Sequence, residues 1–265
     1  MECARKKITL GTKEWASSNI NLISGCSHDC RYCYALKMAI RFKRKTEESW
    51  KIMELNKEKL FQNFKKRKGR IMFPTSHDIT PEFKEECFLV LKKLLHAKNS
   101  VLITSKPHFN VIKDLCLHFE KYKDLIQFRF TITSINNEIL KFWEPGAPSF
   151  EERLESLKFA NSMKYKTSVS IEPFLDKDPI PLVKKLYPYV SETIWIGKMN
   201  YIKRNYISIE ELDFYNEIRE NCTIENIQRI IYQLRRYKKI RYKDSIKRFD
   251  IEIPSIQTPI LKISR

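Results

Sequence analysis

The chain has 265 residues, 42% hydrophobic and 31% charged, a composition that suits a folded globular protein and a length that suits one large α/β domain. No apolar run approaches the roughly 18 residues that cross a bilayer, and residues 1–7 do not lead into the apolar stretch of a secretory leader, so a cytoplasmic protein without membrane contact is expected. The formal net charge is +18 and is unevenly placed: residues 34–70 carry 13 Lys/Arg against 4 Glu, and residues 223–265 carry 11 Lys/Arg against 4 acids.

Two basic flanks around a nearly neutral middle suit a polyanionic partner, although two solvated helix faces would give the same count. Three of the seven cysteines fall within eight residues. An odd total with one tight cluster suits metal binding better than a disulfide framework.

Taken in chain order, apolar runs of strand length stand at 20–23, 70–73, 101–104, 127–133, 167–171 and 193–196. Helical stretches lie between them at 34–45, 81–97, 109–121, 150–163 and 179–187, and further helices are expected at 209–219 and 223–237. Phe88, Leu91, Leu94 and Leu95 share one helical face, as do Ile227, Ile230, Ile231 and Leu234 in the last helix. Six strands alternating with helices predict a parallel sheet, doubly wound or barrel-like. Ligands then gather beyond the carboxyl ends of the strands.

The first strand runs into Gly25-Cys26-Ser27-His28-Asp29-Cys30-Arg31-Tyr32-Cys33-Tyr34. So short a loop can turn three thiolates toward one point. Zinc would need a fourth ligand, with His28 or a distant cysteine as candidates. An iron–sulfur cluster held by three cysteines would leave one iron open to a chelating ligand. The later strands end in polar groups: Ser76, His77 and Asp78 after the second, Lys106 after the third, Thr133 and Ser134 after the fourth, Glu172 after the fifth. At 149–152, Ser149 is positioned to cap a helix with Glu152 three residues on.

A three-cysteine loop with this spacing, an aromatic before its last cysteine and a place after the first of six strands resembles the radical S-adenosylmethionine (SAM) superfamily. The strand ending Thr104-Ser105-Lys106 and the segment from Glu144-Pro145 to Glu152-Arg153-Leu154 resemble its spore photoproduct lyase-like, or DNA-repair photolyase-like, branch. The resemblance covers about residues 18–200. It implies an α/β fold, a partial (β/α)6 TIM-type barrel over residues 1–200, with a short basic helical C-terminal extension at 201–265 packed on it.

By this resemblance Cys26, Cys30 and Cys33 ligate a [4Fe–4S] cluster, and the amino and carboxylate groups of SAM chelate its open iron. Reductive cleavage of SAM then yields methionine and a 5′-deoxyadenosyl radical. Tyr32 is expected near the adenine, and Ser76, His77 and Asp78 at the SAM amino group. Lys106 and Arg153 are assigned to the carboxylate, Thr133 and Ser134 to the ribose or carboxylate, Glu172 to the ribose or the substrate. Gly197 is expected to allow close approach beside the adenine. A low-potential electron donor of the flavodoxin or ferredoxin type is implied as a partner.

The branch and the basic flanks together point to modification or repair of DNA or RNA. Tyr232, Tyr237, Tyr242 and Phe249 interleave with Arg235, Arg236, Lys238, Lys239, Arg241, Lys243, Lys247 and Arg248, a pattern that serves phosphates and bases or a helix covering the barrel. Photoproduct lyases carry a hydrogen-returning cysteine in the second-strand loop, where this chain has Pro74, Thr75 and Ser76. Thymine-dimer repair is therefore not the expected reaction. The alternatives are radical SAM modification of a ribosomal peptide or small metabolite and, in another class, a non-catalytic metal-dependent nucleic-acid-binding module.

Overall fold

The structure, a computed structural model, describes residues 11–247 and 249. In chain order the strands are β1 (Ser18–Asn19), β2 (Ile23–Ser24), β3 (Glu54–Leu55), β4 (Arg70–Phe73), β5 (Ser100–Ser105), β6 (Ile126–Thr131), β7 (Lys166–Ile171), β8 (Ile194–Ile196) and β9 (Ile240–Tyr242). The helices are α1 (Tyr34–Arg41), α2 (Lys57–Phe61), α3 (Lys84–His96), α4 (Phe109–His118), α5 (Asn137–Trp143), α6 (Phe150–Ser162), α7 (Ile180–Leu186), α8 (Ile209–Asn221), α9 (Ile224–Leu234) and α10 (Asp244–Lys247). Seven strands form one sheet in the order β1-β4-β5-β6-β7-β8-β9, with every neighbouring pair parallel.

The expected parallel α/β sheet is present, with one strand more than the six anticipated. The addition, β9, comes from the basic tail and pairs with β8 from Ile194↔Ile240 to Ile196↔Tyr242. Three residues amid cations carry no readable period; their strand character comes from the neighbour they pair with. The run at 20–23 divides. β1 ends at Asn19, the amide of Ile20 still donates to Met72 O at 3.0 Å, and β2 leaves the sheet to pair antiparallel with β3. That departure carries the chain out to the cysteine loop.

Alternation along the strands separates two faces. Ile71, Phe73, Val101, Ile103, Phe128, Phe130, Val169 and Ile171 join the apolar core formed with the helices. The intervening positions are apolar in β4 and the start of β5, at Met72 and Leu102, and polar from Thr104 through β6 and β7, at Gln127, Arg129, Thr131, Ser168 and Ser170. Gln127 Nε2 and Arg129 Nε both donate to Ser168 Oγ, at 3.2 and 3.1 Å. The inner face is thus suited to a polar ligand, while the helix side supplies the burial that stabilises the fold.

The sheet's two edges are tied together ahead of β1. Glu14, at the end of a 3-10 turn, accepts from Lys243 and Lys247 at 2.5 Å each, just beyond β9. The next residue, Trp15, packs edge-on against Trp195 of β8 with centroids 5.7 Å apart, and the Arg129 guanidinium lies 4.4 Å from the Trp15 ring centroid. Two of the tail aromatics pack inward: Tyr237 meets Tyr187 edge-on at 5.3 Å, and Tyr242 donates to Ile231 O. Tyr232 is exposed, with Arg235 stacked 3.9 Å above its ring. Arg248, also expected in this pattern, lies outside the described residues, as does Cys3. No helix among the described residues is long and apolar enough to cross a membrane.

Candidate active site

At the carboxyl ends of the strands lies a cavity of about 550 Å³, lined by Cys26, Cys30 and Cys33 together with Tyr32, Ser76, His77, Asp78, Lys106 and Glu172. Nine of the twelve residues singled out from sequence therefore meet in one space. Cys87, Cys116 and Cys222 do not line it, so among the described residues no fourth cysteine completes the set. Cys33 also caps α1, its Sγ accepting from Leu36 N at 3.4 Å. Burial pushes the Cys26 thiol up to about 12, helped by the nearby Asp78 carboxylate. Burial raises Cys30 and Cys33 as well. Thiolates here need a strong positive charge beside them, which a metal cluster supplies and water does not.

The loop is seated against the segment after α5. Gly146 N donates to His28 O at 3.1 Å, and a β-carbon on Gly146 would stand 2.2 Å from Ser27 O. Close backbone approach is the reason for glycine at this position.

Asp78 is the hub of the polar wall. Its Oδ1 accepts from Lys106 N at 2.8 Å and its Oδ2 from His28 Nδ1 at 2.7 Å. Burial disfavours its charge, but Lys106 and His28 outweigh that and hold the carboxyl well below its usual range. His28 Nε2 lies 2.9 Å from His108 Nε2, so the two rings share one hydrogen bond. On its other side His108 Nδ1 faces Glu152 at 3.7 Å. Burial, then His28, lowers the His108 pKa. Cys26 Sγ, a His28 ring nitrogen and an Asp78 oxygen lie within 4.8 Å of one another. Both His28 nitrogens are nevertheless engaged, so a zinc site completed by His28 would have to break one of these hydrogen bonds.

His77 lines the cavity but is pinned by backbone: Leu22 N donates to its Nε2 at 3.1 Å, and its Nδ1 donates to Asp78 O at 3.0 Å. Burial lowers its pKa to about 4, so it stands neutral. Asn21 orders the same loop, its Oδ1 accepting from Thr75 N at 2.6 Å and Ser76 N at 3.1 Å. Burial alone would lower the Lys106 pKa, but Cys30, Tyr32, Asp78 and Glu144 around it win, and the net shift is upward. The ammonium stays charged, 5.6 Å from the Tyr32 ring centroid.

Three expected ligand contacts are placed elsewhere. Arg153 is fully buried and away from the cavity; the carboxylate it meets is that of Glu144, 2.5 Å from Nη2. Its Nε donates to Pro148 O at 2.7 Å. Thr133, also fully buried, donates to Glu144 Oε1 at 2.8 Å, and Tyr32 OH donates to the same oxygen. Ser134 is buried and donates to Asp176. For Thr133 and Ser134 the physical reason is that β6 ends at Thr131, so the following residues turn away from the cavity; Arg153, on α6, reaches the same strand end from outside the cavity and donates to Thr131 O at 3.4 Å. Arg153, Thr133 and Glu144 act on the site by holding Tyr32. Ser149 caps α6 as expected, its Oγ accepting from Glu152 N at 3.3 Å, but Glu152 turns instead to Phe109 N at 2.9 Å. The open face of Gly197 is filled by Glu172, whose Cγ would lie 2.7 Å from an added β-carbon.

Sequence reasoning did not place Glu144, Asn21, Trp15, Lys198 or Lys243 at this site, Lys243 having been grouped with the tail cations. The last three line the cavity. Glu144 stood within a quoted motif, but its role as acceptor for three separated residues has no local signature.

Residues 20–178 match the Radical SAM superfamily. The chain belongs to that superfamily, whose enzymes use a [4Fe–4S] cluster and SAM. It is 28% identical over 174 residues to the uncharacterized protein MJ0683 of Methanocaldococcus jannaschii, covering 65% of this chain and 66% of that one. It is 27% identical over 178 residues to the uncharacterized protein ORF301 of Acidianus two-tailed virus, covering 63% and 58%. The match therefore spans less than two-thirds of either relative. A point mutant of spore photoproduct lyase superposes with a TM-score of 0.53 at 14% identity, covering 90% of this chain and 79% of that one, a likeness of fold.

Proposed function

We propose that the chain is a radical SAM enzyme in which Cys26, Cys30 and Cys33 ligate the [4Fe–4S] cluster and the cavity beside them holds SAM, and that it modifies or repairs a nucleic acid. The observation that carries this reading is the meeting of three unpaired thiols, two buried and one half-buried, with Lys106 and Asp78 in one cavity. The donor set fits the group: three soft ligands with no fourth cysteine beside them among the described residues, as a cluster with one open iron requires.

When bound, the cluster and SAM together supply a 5′-deoxyadenosyl radical. The chain's own residues bind and orient. Lys106 presents a charged ammonium suited to the SAM carboxylate. Asp78, held ionised, presents acceptors suited to an ammonium. Tyr32, fixed through its hydroxyl by Glu144, offers its ring to a base. Glu172 stands on the opposite strand ends, where a ribose or substrate hydroxyl would meet it. The nucleic-acid assignment is supported by the net charge of +18. A low-potential flavodoxin or ferredoxin is the electron source this reading requires.

Anaerobic reconstitution with iron and sulfide, followed by SAM and dithionite, tests the catalytic part. The expected product is 5′-deoxyadenosine, lost together with bound iron when any of the three cysteines becomes alanine. An intact cluster that leaves SAM uncleaved would overturn the reading.

A further inference from the structure

A second concavity, of about 670 Å³, adjoins the first and shares residues 198–201 with it. Lys37 from α1, Lys198 after β8, Lys203 and Arg204 from the following loop, and Arg219 from α8 line it, with Tyr201 among them. No acidic residue lines it. Some surface cations elsewhere find carboxylates: Arg31 pairs with Glu211, Lys51 with Asp29, Lys84 with Asp114. None of the five groove cations forms an ion pair among the described residues. Arg219 is positioned by neutral acceptors, Asn216 Oδ1 at 3.0 Å and Lys203 O at 2.9 Å.

Five like charges brought together without counter-charges cost free energy unless an anion joins them. Exposed aromatics stand beside it: Tyr201 lines both cavities and Tyr34 lines the first. Cations for phosphates beside aromatic faces for bases are the elements of a single-strand binding surface. A groove opening directly into the cysteine-lined cavity would deliver one nucleotide of that strand to the reacting position.

We infer that this groove binds the backbone phosphates of a single-stranded DNA or RNA segment flanking the nucleotide held in the cavity. The inference rests on the nucleic-acid reading above. It differs from the sequence-level expectation, which placed the basic surface in 34–70 and 223–265; four of the five cations lie outside both stretches.

The test is fluorescence anisotropy of labelled single-stranded DNA and RNA 12-mers with the reconstituted protein across a salt series. The variant Lys203→Glu/Arg204→Glu is compared with Lys92→Glu/Lys113→Glu, an equal charge change at exposed positions on α3 and α4. Iron content and melting temperature verify that both variants are folded and loaded. The groove variant is expected to bind at least tenfold more weakly at 0.1 M salt. Its slope of log K against log salt should fall in magnitude by about 1.4, two single-strand phosphate contacts, while the control stays within twofold of wild type. If wild type binds and both variants weaken equally, the groove assignment is overturned while the nucleic-acid reading stands. If wild type shows no salt-dependent binding, that reading fails and the groove assignment with it. If oligonucleotide binding is unchanged in the groove variant but cluster reduction by flavodoxin slows, the groove docks an acidic protein and the inference is wrong.

Discussion

Arg153→Met removes the cation from a pair in which neither side chain reaches solvent. Glu144 would remain beside Tyr32 and Thr133, two neutral donors, with only the more distant Lys106 to offset its charge. Breaking a buried pair from one side costs about 3–5 kcal/mol, which for a chain of this size lowers the melting temperature by roughly 10 °C. In wild type, burial disfavours the Glu144 charge, but Arg153 and then Lys106 outweigh it and hold the carboxyl below its usual range. A depressed folded pKa contributes stability that is present above the unfolded value of about 4.3 and lost as pH falls through the folded one. The gap between wild type and Arg153→Met should therefore be widest near neutrality and narrow below about pH 4.5. Adding Glu144→Gln to Arg153→Met removes the stranded charge while leaving an acceptor for Tyr32 and Thr133, and should recover about 2 kcal/mol of the loss. Urea denaturation under anaerobic reducing conditions measures wild type, both single variants and the double. A double variant whose loss is the sum of the singles, or a single variant costing under about 1 kcal/mol, would refute the reasoning.

Gly146→Ala drives a methyl group into Ser27 O, with His28 Cα only 3.0 Å from the added carbon. Both obstacles are backbone, so the cysteine loop itself must move, at about 1–3 kcal/mol. Reduced iron per chain after reconstitution, with a lower melting temperature, is the expected result; full iron and an unchanged melting temperature would contradict it. Glu172 is pushed up to about 7 by burial, with Lys243 opposing. A carboxyl raised on folding favours the folded state at low pH and loses that contribution as pH rises from the unfolded to the folded value. Glu172→Gln should accordingly gain on wild type by up to about 3 kcal/mol between pH 4.5 and 7. A difference that stays flat between pH 5 and pH 8 would show that this carboxyl is not desolvated.

The cysteine loop, the strand ends at Asp78, Lys106 and Glu172, and the parallel α/β order were legible because each is local. A period of two or 3.6, a spacing of three cysteines and a polar group closing an apolar run are written within a few consecutive residues. Where reading along the chain failed, the deciding contact lay between distant segments. Arg153 was expected at a ligand carboxylate, and the need for a carboxylate was met, but packing of α6 under the end of β6 supplies Glu144 instead. The open side of Gly197 receives Glu172 across the sheet. β9 is a strand because β8 offers it a ladder, and Glu14 finds its two lysines more than two hundred residues away.

By itself, then, the sequence determined the family, the three-cysteine loop and the ring of polar strand ends, since backbone periodicity and ligand spacing act over short range. Tertiary structure alone decided which of those polar groups face the cavity and which brace it. It also gathered five unpaired cations from separate elements into one groove, because burial and charge depend on what the fold brings together across space.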